Sequence, residues 1–273
     1  MAYYRILFSD IDGTLLNSKS QISADTLQAI QSLNAIKIPF VLVSARMPKG
    51  METFQHQIGV CEAMICFSGA LVLGPRDAAG HREVIRDITL RREDVENVYQ
   101  WIKPQDDITL SVYTKDDWYV DELNEVNLQE SEITSIKPVV CGQERIFDIQ
   151  HINKILCIGN PQHINRLQTD ISKNYPKLTV YKSKPTYLEI MAPQVSKSSA
   201  MKDLLTSMDL TMDRAVSIGD YYNDIDMLQN AGLGIAMGNA PDEVKMYADE
   251  ITASNDHNGL KLVIDKYFLN GGV

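Results

Sequence analysis

Short apolar runs recur near both ends of the chain, and nearly all are followed directly by polar or small residues. Ile6-Leu7-Phe8, Phe40-Val41-Leu42-Val43, Ala63-Met64-Ile65-Cys66-Phe67, Ala215-Val216-Ser217-Ile218 and Leu233-Gly234-Ile235-Ala236-Met237 are too short for helices and lack polar alternation. Such runs read as strands buried in a sheet. Between them the apolar positions recur at helical spacing. Ile22–Ile36 carries the stripe Leu27, Ile30, Leu33; Ser23 caps it, Asp25 favours its positive end, and Ile22 can staple onto Leu27. Lys197–Met208, Asp224–Gln229, Asp242–Tyr247 and His257–Phe268 read as further helices. Strands alternating with helices predict a parallel sheet.

The rhythm changes in the middle of the chain. Leu71-Val72-Leu73, a Gly/Pro/Asp-rich turn and Val84-Ile85 predict a hairpin, and Arg91–Ile102 a helix. Ile108–Thr114 alternates and, with Trp118-Tyr119-Val120, predicts antiparallel strands. Residues 131–150 show no usable pattern. Ile155–Ile158, Leu178–Tyr181 and Tyr187–Ile190 read as strands, and His163–Asn174 as a helix. The chain is therefore expected to be α/β. Residues 1–86 and 191–273 would form a parallel-sheet core, and 87–190 an inserted α+β cap.

Composition narrows the function. The chain has 273 residues, 44% apolar and 23% charged, with a net charge of −10. That balance argues against a nucleic-acid partner, which would need a basic face, and against an anionic membrane surface. An anionic substrate would have to be attracted by a local cation. Cys61, Cys66, Cys141 and Cys157 include no Cys-x-x-Cys pair, and Cys66 and Cys157 sit in apolar runs. Such usage fits a reducing compartment. With no signal-peptide pattern at Met1–Arg5 and no apolar stretch of about 18 residues, a cytoplasmic protein is expected. The sequence does not specify an oligomeric state.

The chemistry lies where the core strands end. Asp10 and Asp12 follow the first strand, and Gly13-Thr14 turns the chain away from it. Two carboxylates there are costly unless solvated, paired or bound to a metal. Ser44-Ala45-Arg46 follows Phe40–Val43, Gly219–Asp224 follows Ala215–Ile218, and Lys197 opens a helix. Parallel strands end on one edge, so these groups can converge. Hard carboxylate oxygens suit Mg²⁺. Lysine and serine suit phosphate oxygens. The combination describes phosphoryl transfer. A phosphate at the start of its helix would be attracted by both Lys197 and the helix dipole.

The Asp-x-Asp-Gly-Thr-Leu run at 10–15, followed by Gly-Asp-x-x-Asn-Asp at 219–224, resembles the Cof-like (subclass IIB) phosphatases of the haloacid dehalogenase superfamily. The resemblance covers the whole chain. It implies a Rossmann-like core and a cap that selects substrates. It implies that Asp10 is a nucleophile forming an aspartyl-phosphate, and Asp12 a general acid and then base. It implies Mg²⁺ on Asp10, the Asp12 carbonyl and Asp220, with Asp224 close by. Ser44 and Lys197 would bind phosphoryl oxygens, and Asn223 would orient them or the nucleophile. Arg46, Ser68 and Gly69 would face the substrate. The expected substrate is a small phosphorylated metabolite, a sugar phosphate first, with phosphorylated cofactors and nucleotides behind. Ser44-Ala45-Arg46, Lys197-Ser198, Ser68 and Tyr221-Tyr222 depart from the usual residues of the family.

Two rival functions share these residues. A phosphomutase or phosphotransferase would pass the phosphoryl group to a sugar, and a phospho-ligand binding protein would need no general acid. Other signals fall away. The five histidines are scattered without zinc spacing, and Gly232-Leu233-Gly234 lacks the third glycine of a dinucleotide fingerprint. Residues 220–226 lack the central glycine of a calcium loop. Asp226 reads as a helix N-terminal acid. Tyr113, Trp118 and Tyr119 read as cap core.

Overall fold

The computed structural model describes residues 3–103 and 107–270. Its strands in chain order are β1 (Ile6–Ser9), β2 (Phe40–Val43), β3 (Met64–Cys66), β4 (Leu71–Arg76), β5 (Arg82–Asp87), β6 (Thr109–Tyr113), β7 (Trp118–Val120), β8 (Val139–Val140), β9 (Lys154–Ile158), β10 (Thr179–Lys184), β11 (Tyr187–Met191), β12 (Ala215–Gly219), β13 (Leu233–Ala236) and β14 (Glu250–Ile251). The chain groups into two units. One holds the chain up to Ala45, Met51–Arg86 and the chain from Ser196 on; the other holds Arg46–Gly50 and Asp87–Val195.

The first unit is built on a sheet ordered β14-β13-β12-β1-β2-β3-β4-β5. From β14 to β3 every pair is parallel, and β4 returns antiparallel beside β3. The fold is α/β with a Rossmann-like parallel sheet, as the strand–helix alternation predicts. β1, β2, β12 and β13 are buried along their whole length, because helices cover both faces. Ile6, Phe8, Val41, Val43 and Ile65 pack against Ala200, Met201, Leu204 and Leu205 of the Lys197–Ser207 helix. Each fully buried Leu or Met there is worth about 1.5–3 kcal/mol. The Ala24–Ala35 helix buries Ala29, Ile30 and Leu33 and is capped by Ser23, which accepts the Thr26 N–H.

The end of the chain differs from a single helix over His257–Phe268. A 3-10 turn at Asn255–His257 stops at Asn258, whose φ is +57°. An α-helix then runs over Gly259–Ile264 and widens to a π-turn over Asp265–Leu269. Gly259 lies so close to the Ala253 carbonyl that a Cβ would meet it at 2.1 Å.

The second unit carries a sheet ordered β10-β11-β9-β6-β7-β8. Its pairs are antiparallel except β7–β8. Helices Arg92–Ile102 and Pro161–Asn174 bury Val95, Val98, Tyr99 and Ile102, and Ile164, Leu167 and Ile171. By register, Ser111, Tyr113, Lys154 and Glu189 share one face of the sheet. Glu189 and Lys154 form a buried ion pair there at 3.2 Å. Tyr113 and Trp118 are buried and stacked, as core residues. Among the described residues no helix is long and apolar enough to cross a membrane.

Candidate active site

Asp10, Ser44, Phe67 and Asp220 each follow a strand of the parallel sheet. Ladder bonds continue past the strand ends: Asp10 N–H donates to the Ile218 carbonyl at 3.0 Å, Ser44 N–H to that of Ile65 at 2.9 Å and Ser68 N–H to that of Ser44 at 2.9 Å. The backbone thus holds these residues on one edge.

Lys197 links the groups across that edge. Its helix runs back against the strands and starts at their carboxyl ends. Its side chain is fully buried, and Nζ donates to Asp10 Oδ1 at 2.6 Å and Asp224 Oδ1 at 2.5 Å. Burial disfavours an ammonium, but Asp10 and Asp224 outweigh it and hold the proton more tightly than on a free lysine. Asp224 Oδ2 also accepts the N–H groups of Asp220 and Tyr221, both at 2.9 Å. It therefore closes the Gly219–Asp224 turn as well as pairing the cation.

Asp10, Asp220 and Asp224 each present a carboxylate oxygen within 4.8 Å of the others. With one ammonium among them, the fully ionised cluster carries two negative charges in excess. The carboxyl groups register this excess. Burial raises Asp10 well above the carboxylate range; Lys197 pulls it back in part, while Asp224 and Asp220 raise it further. Asp220 is pushed up to about 7 by burial and Asp224, against a hydrogen bond from Thr14 and the charge of Lys197. An all-oxygen set two charges short of neutrality fits a hard divalent cation such as Mg²⁺. Both oxygens of Asp224 are engaged, by Lys197 Nζ and by the two N–H groups, whereas Asp220 Oδ2 accepts a longer bond from Asn239 Nδ2 at 3.4 Å.

Of the other predicted residues, Asp12 is half-buried, and its charge is felt at Asp220. Ser44 is buried at the end of β2. Asn223 lies in the 3-10 turn Tyr222–Asp224. Ser68 and Gly69 sit in a turn where Phe67, Ser68 and Gly69 all have positive φ, +48°, +52° and +106°. Ser68 is fully buried, and its hydroxyl has no hydrogen-bond partner among the described residues. Arg46 groups with the second unit.

Two features depart from the sequence reading. The start of the Lys197 helix is not an open anion site, because its Ser198 and Ser199 N–H groups donate to Asp226 and Ser196. Asp226 accordingly serves the start of this other helix besides lying in the first turn of its own, Ile225–Asn230. Thr14 and Asn239 join the site without having stood out in the sequence. Thr14 Oγ1 donates to Asp220 Oδ1 at 2.9 Å, and Asn239 Nδ2 to the Gly13 carbonyl at 2.9 Å. Asn239 was findable, because it follows β13 on the same edge. Gly13 has a φ of +89°, and a Cβ there would strike Asp220 Oδ2 at 2.3 Å. Only glycine lets the Asp10–Thr14 turn come this close to Asp220.

The family model for haloacid dehalogenase-like hydrolases matches residues 7–264. The chain belongs to that family. This hydrolase is 31% identical over 269 residues to a Haemophilus influenzae protein named "Putative phosphatase", covering 97% of this chain and 98% of that one. It is 24% identical over 267 residues to the 5-amino-6-(5-phospho-D-ribitylamino)uracil phosphatase YitU of Bacillus subtilis, covering 95% and 96%. A solved structure of a subclass IIB sugar phosphatase, BT4131, superposes with a TM-score of 0.82 at 21% identity, covering 96% and 98%. Family and relatives agree with the sequence reading of an enzyme of the haloacid dehalogenase phosphatase type.

Proposed function

We propose that this hydrolase is a Mg²⁺-dependent phosphomonoesterase acting through an aspartyl-phosphate on Asp10. The observation that carries the reading is the buried Asp10–Lys197–Asp224 chain beside Asp220 at the sheet edge. Lys197 occupies Asp10 Oδ1, so Oδ2 is the oxygen that attacks phosphorus. As the new O–P bond forms, the ester P–O bond breaks, and the leaving alkoxide takes a proton from Asp12. Asp12, now a carboxylate, takes a proton from water as that water attacks the aspartyl-phosphate, releasing phosphate and restoring Asp10. Such proton transfers typically contribute about 10²–10⁴-fold. The Lys197 ammonium and the Ser44 hydroxyl bind phosphoryl oxygens, and Asn223 orients them. Asp10, the Asp12 carbonyl and Asp220 would hold Mg²⁺, with Asp224 supporting from behind. Bound there, Mg²⁺ would supply charge neutralisation between the attacking carboxylate and the phosphoryl oxygens.

The substrate is read as a small phosphorylated metabolite, with sugar phosphates first. Supporting this are a relative named for a phospho-ribityl substrate and a fold neighbour named a sugar phosphatase. Residues 87–190 are read as the substrate-selecting insertion.

A phosphate-release screen over sugar phosphates, nucleotides and cofactor phosphates tests the proposal. The expected result is turnover with Mg²⁺ that disappears in EDTA and in Asp10→Asn. Absence of hydrolysis of every compound would remove the assignment. Sugar-phosphate isomers formed without free phosphate would make the enzyme a mutase.

A further inference from the structure

The helix that begins at Lys197 is tied down in its first turn from outside itself. Ser196 caps it locally, accepting the Ser199 N–H at 3.1 Å. The Ser198 N–H donates instead to Asp226 Oδ2 at 2.9 Å, across 28 residues of chain. Asp226 lies two residues beyond Asp224, whose carboxylate holds the Lys197 ammonium. Two adjacent links therefore join the same pair of elements: side chain 197 to side chain 224, and backbone 198 to side chain 226. A carboxylate accepting a first-turn N–H is charge-assisted and faces the positive end of the dipole.

We propose that Asp226 is a positioning residue for Lys197. A lysine side chain is a flexible four-carbon stem that does not orient itself. Fixing the backbone from which it springs, against the turn that carries Asp220 and Asp224, determines where the ammonium lies between Asp10 and Asp224. Misplacement of a catalytic group by about 1 Å can cost about 10²-fold in rate. The contact stands on the geometry alone, and its kinetic consequence rests on the phosphatase reading.

The test compares Asp226→Ala, which removes the acceptor, with Asp226→Asn, which keeps an acceptor oxygen and loses the charge. Thermal unfolding of both variants establishes that they fold. In Asp226→Ala, exchange of the Ser198 amide with deuterium is expected to accelerate about tenfold or more. With p-nitrophenyl phosphate and Mg²⁺, kcat is expected to fall by about 10- to 100-fold while KM stays within about twofold. Asp226→Asn is expected to restore amide protection and recover most of kcat. A Ser198 amide still protected in Asp226→Ala overturns the proposal. So does an unchanged kcat once protection is lost, or an Asn variant that folds yet is as impaired as the Ala variant. If the wild-type enzyme hydrolyses no phosphomonoester, the phosphatase reading falls, and a crystal structure of Asp226→Ala decides the positioning. A Lys197 ammonium unmoved from Asp10 and Asp224 then overturns it.

Discussion

Burial and neighbouring carboxylates raise both Asp10 and Asp220, and Asp220 defines a pH window. Its ordinary value is 3.8, and burial followed by the charge of Asp224 pushes it up to about 7. A carboxyl raised on folding binds its proton better in the native state. Between these two values the unfolded chain holds fewer protons, so stability from this group declines as pH rises from about 4 to about 7. On the proposed function, a divalent cation would take the place of that proton. Added Mg²⁺ should therefore raise the unfolding temperature, relative to EDTA, more at about pH 8 than at about pH 6. Binding near neutrality should also release protons, measurable by calorimetry in buffers of different ionisation enthalpy. Equal stabilisation at both pH values would mean that the cation does not compete with the Asp220 proton. Lys197 allows a second expectation at this scale. Lys197→Met keeps the stem and removes the charge that, in the proposed mechanism, binds phosphoryl oxygens, so kcat should fall by about 10²–10³. Steady-state kinetics of the folded variant checks it.

At the scale of elements, the Phe67–Gly69 turn presses on the start of the Lys197 helix. A Cβ on Gly69 would meet the Ser196 carbonyl at 2.2 Å and the Ala200 methyl at 3.2 Å. Gly69→Ala should displace the helix start, costing about 1–3 kcal/mol in denaturant unfolding and lowering kcat as well. Gly80 supplies the contrast. Its φ is +89°, and a Cβ there meets nothing within 4 Å. Gly80→Ala should cost only the strain of a left-handed residue, about 1–2 kcal/mol, with kcat untouched. The turn itself was not legible from sequence, because Phe67 and Ser68 are not residues that announce positive φ. The helix Glu125–Thr134 was hidden for a different reason. Its buried positions include Asn127 and Glu130, while Leu128 and Ile133 are exposed, so the apolar stripe that marks a helix is inverted. Asn127 instead donates to the Glu122 carbonyl, and Glu130 accepts from Tyr187. Asp226 reads from sequence as serving its own helix alone, because chain distance conceals a partner 28 residues away.

For the whole molecule, one rule made the site legible: parallel strands deliver the residues beyond their carboxyl ends to a common edge. Asp10, Ser44 and Asp220 come together by that rule, and Lys197 by the return of its helix. The same view of the molecule sets how substrate reaches the site. The chain carries a net charge of −10, part of it concentrated in the acidic cluster. A phosphomonoester is itself an anion, so the long-range field opposes encounter, and in the proposed mechanism attraction is confined to the bound cation and Lys197. Long-range repulsion is screened by salt beyond a Debye length of about 10 Å at 0.1 M, while buried contacts are screened much less. At saturating Mg²⁺, kcat/KM for a dianionic sugar phosphate should therefore hold or rise modestly as KCl goes from about 30 to about 300 mM, with kcat constant. An enzyme that steers its substrate shows the opposite slope. Steady-state rates at fixed free Mg²⁺ measure it directly. A steep fall in kcat/KM with salt would mean that a positive local field, stronger than the overall charge, surrounds the approach to Asp10.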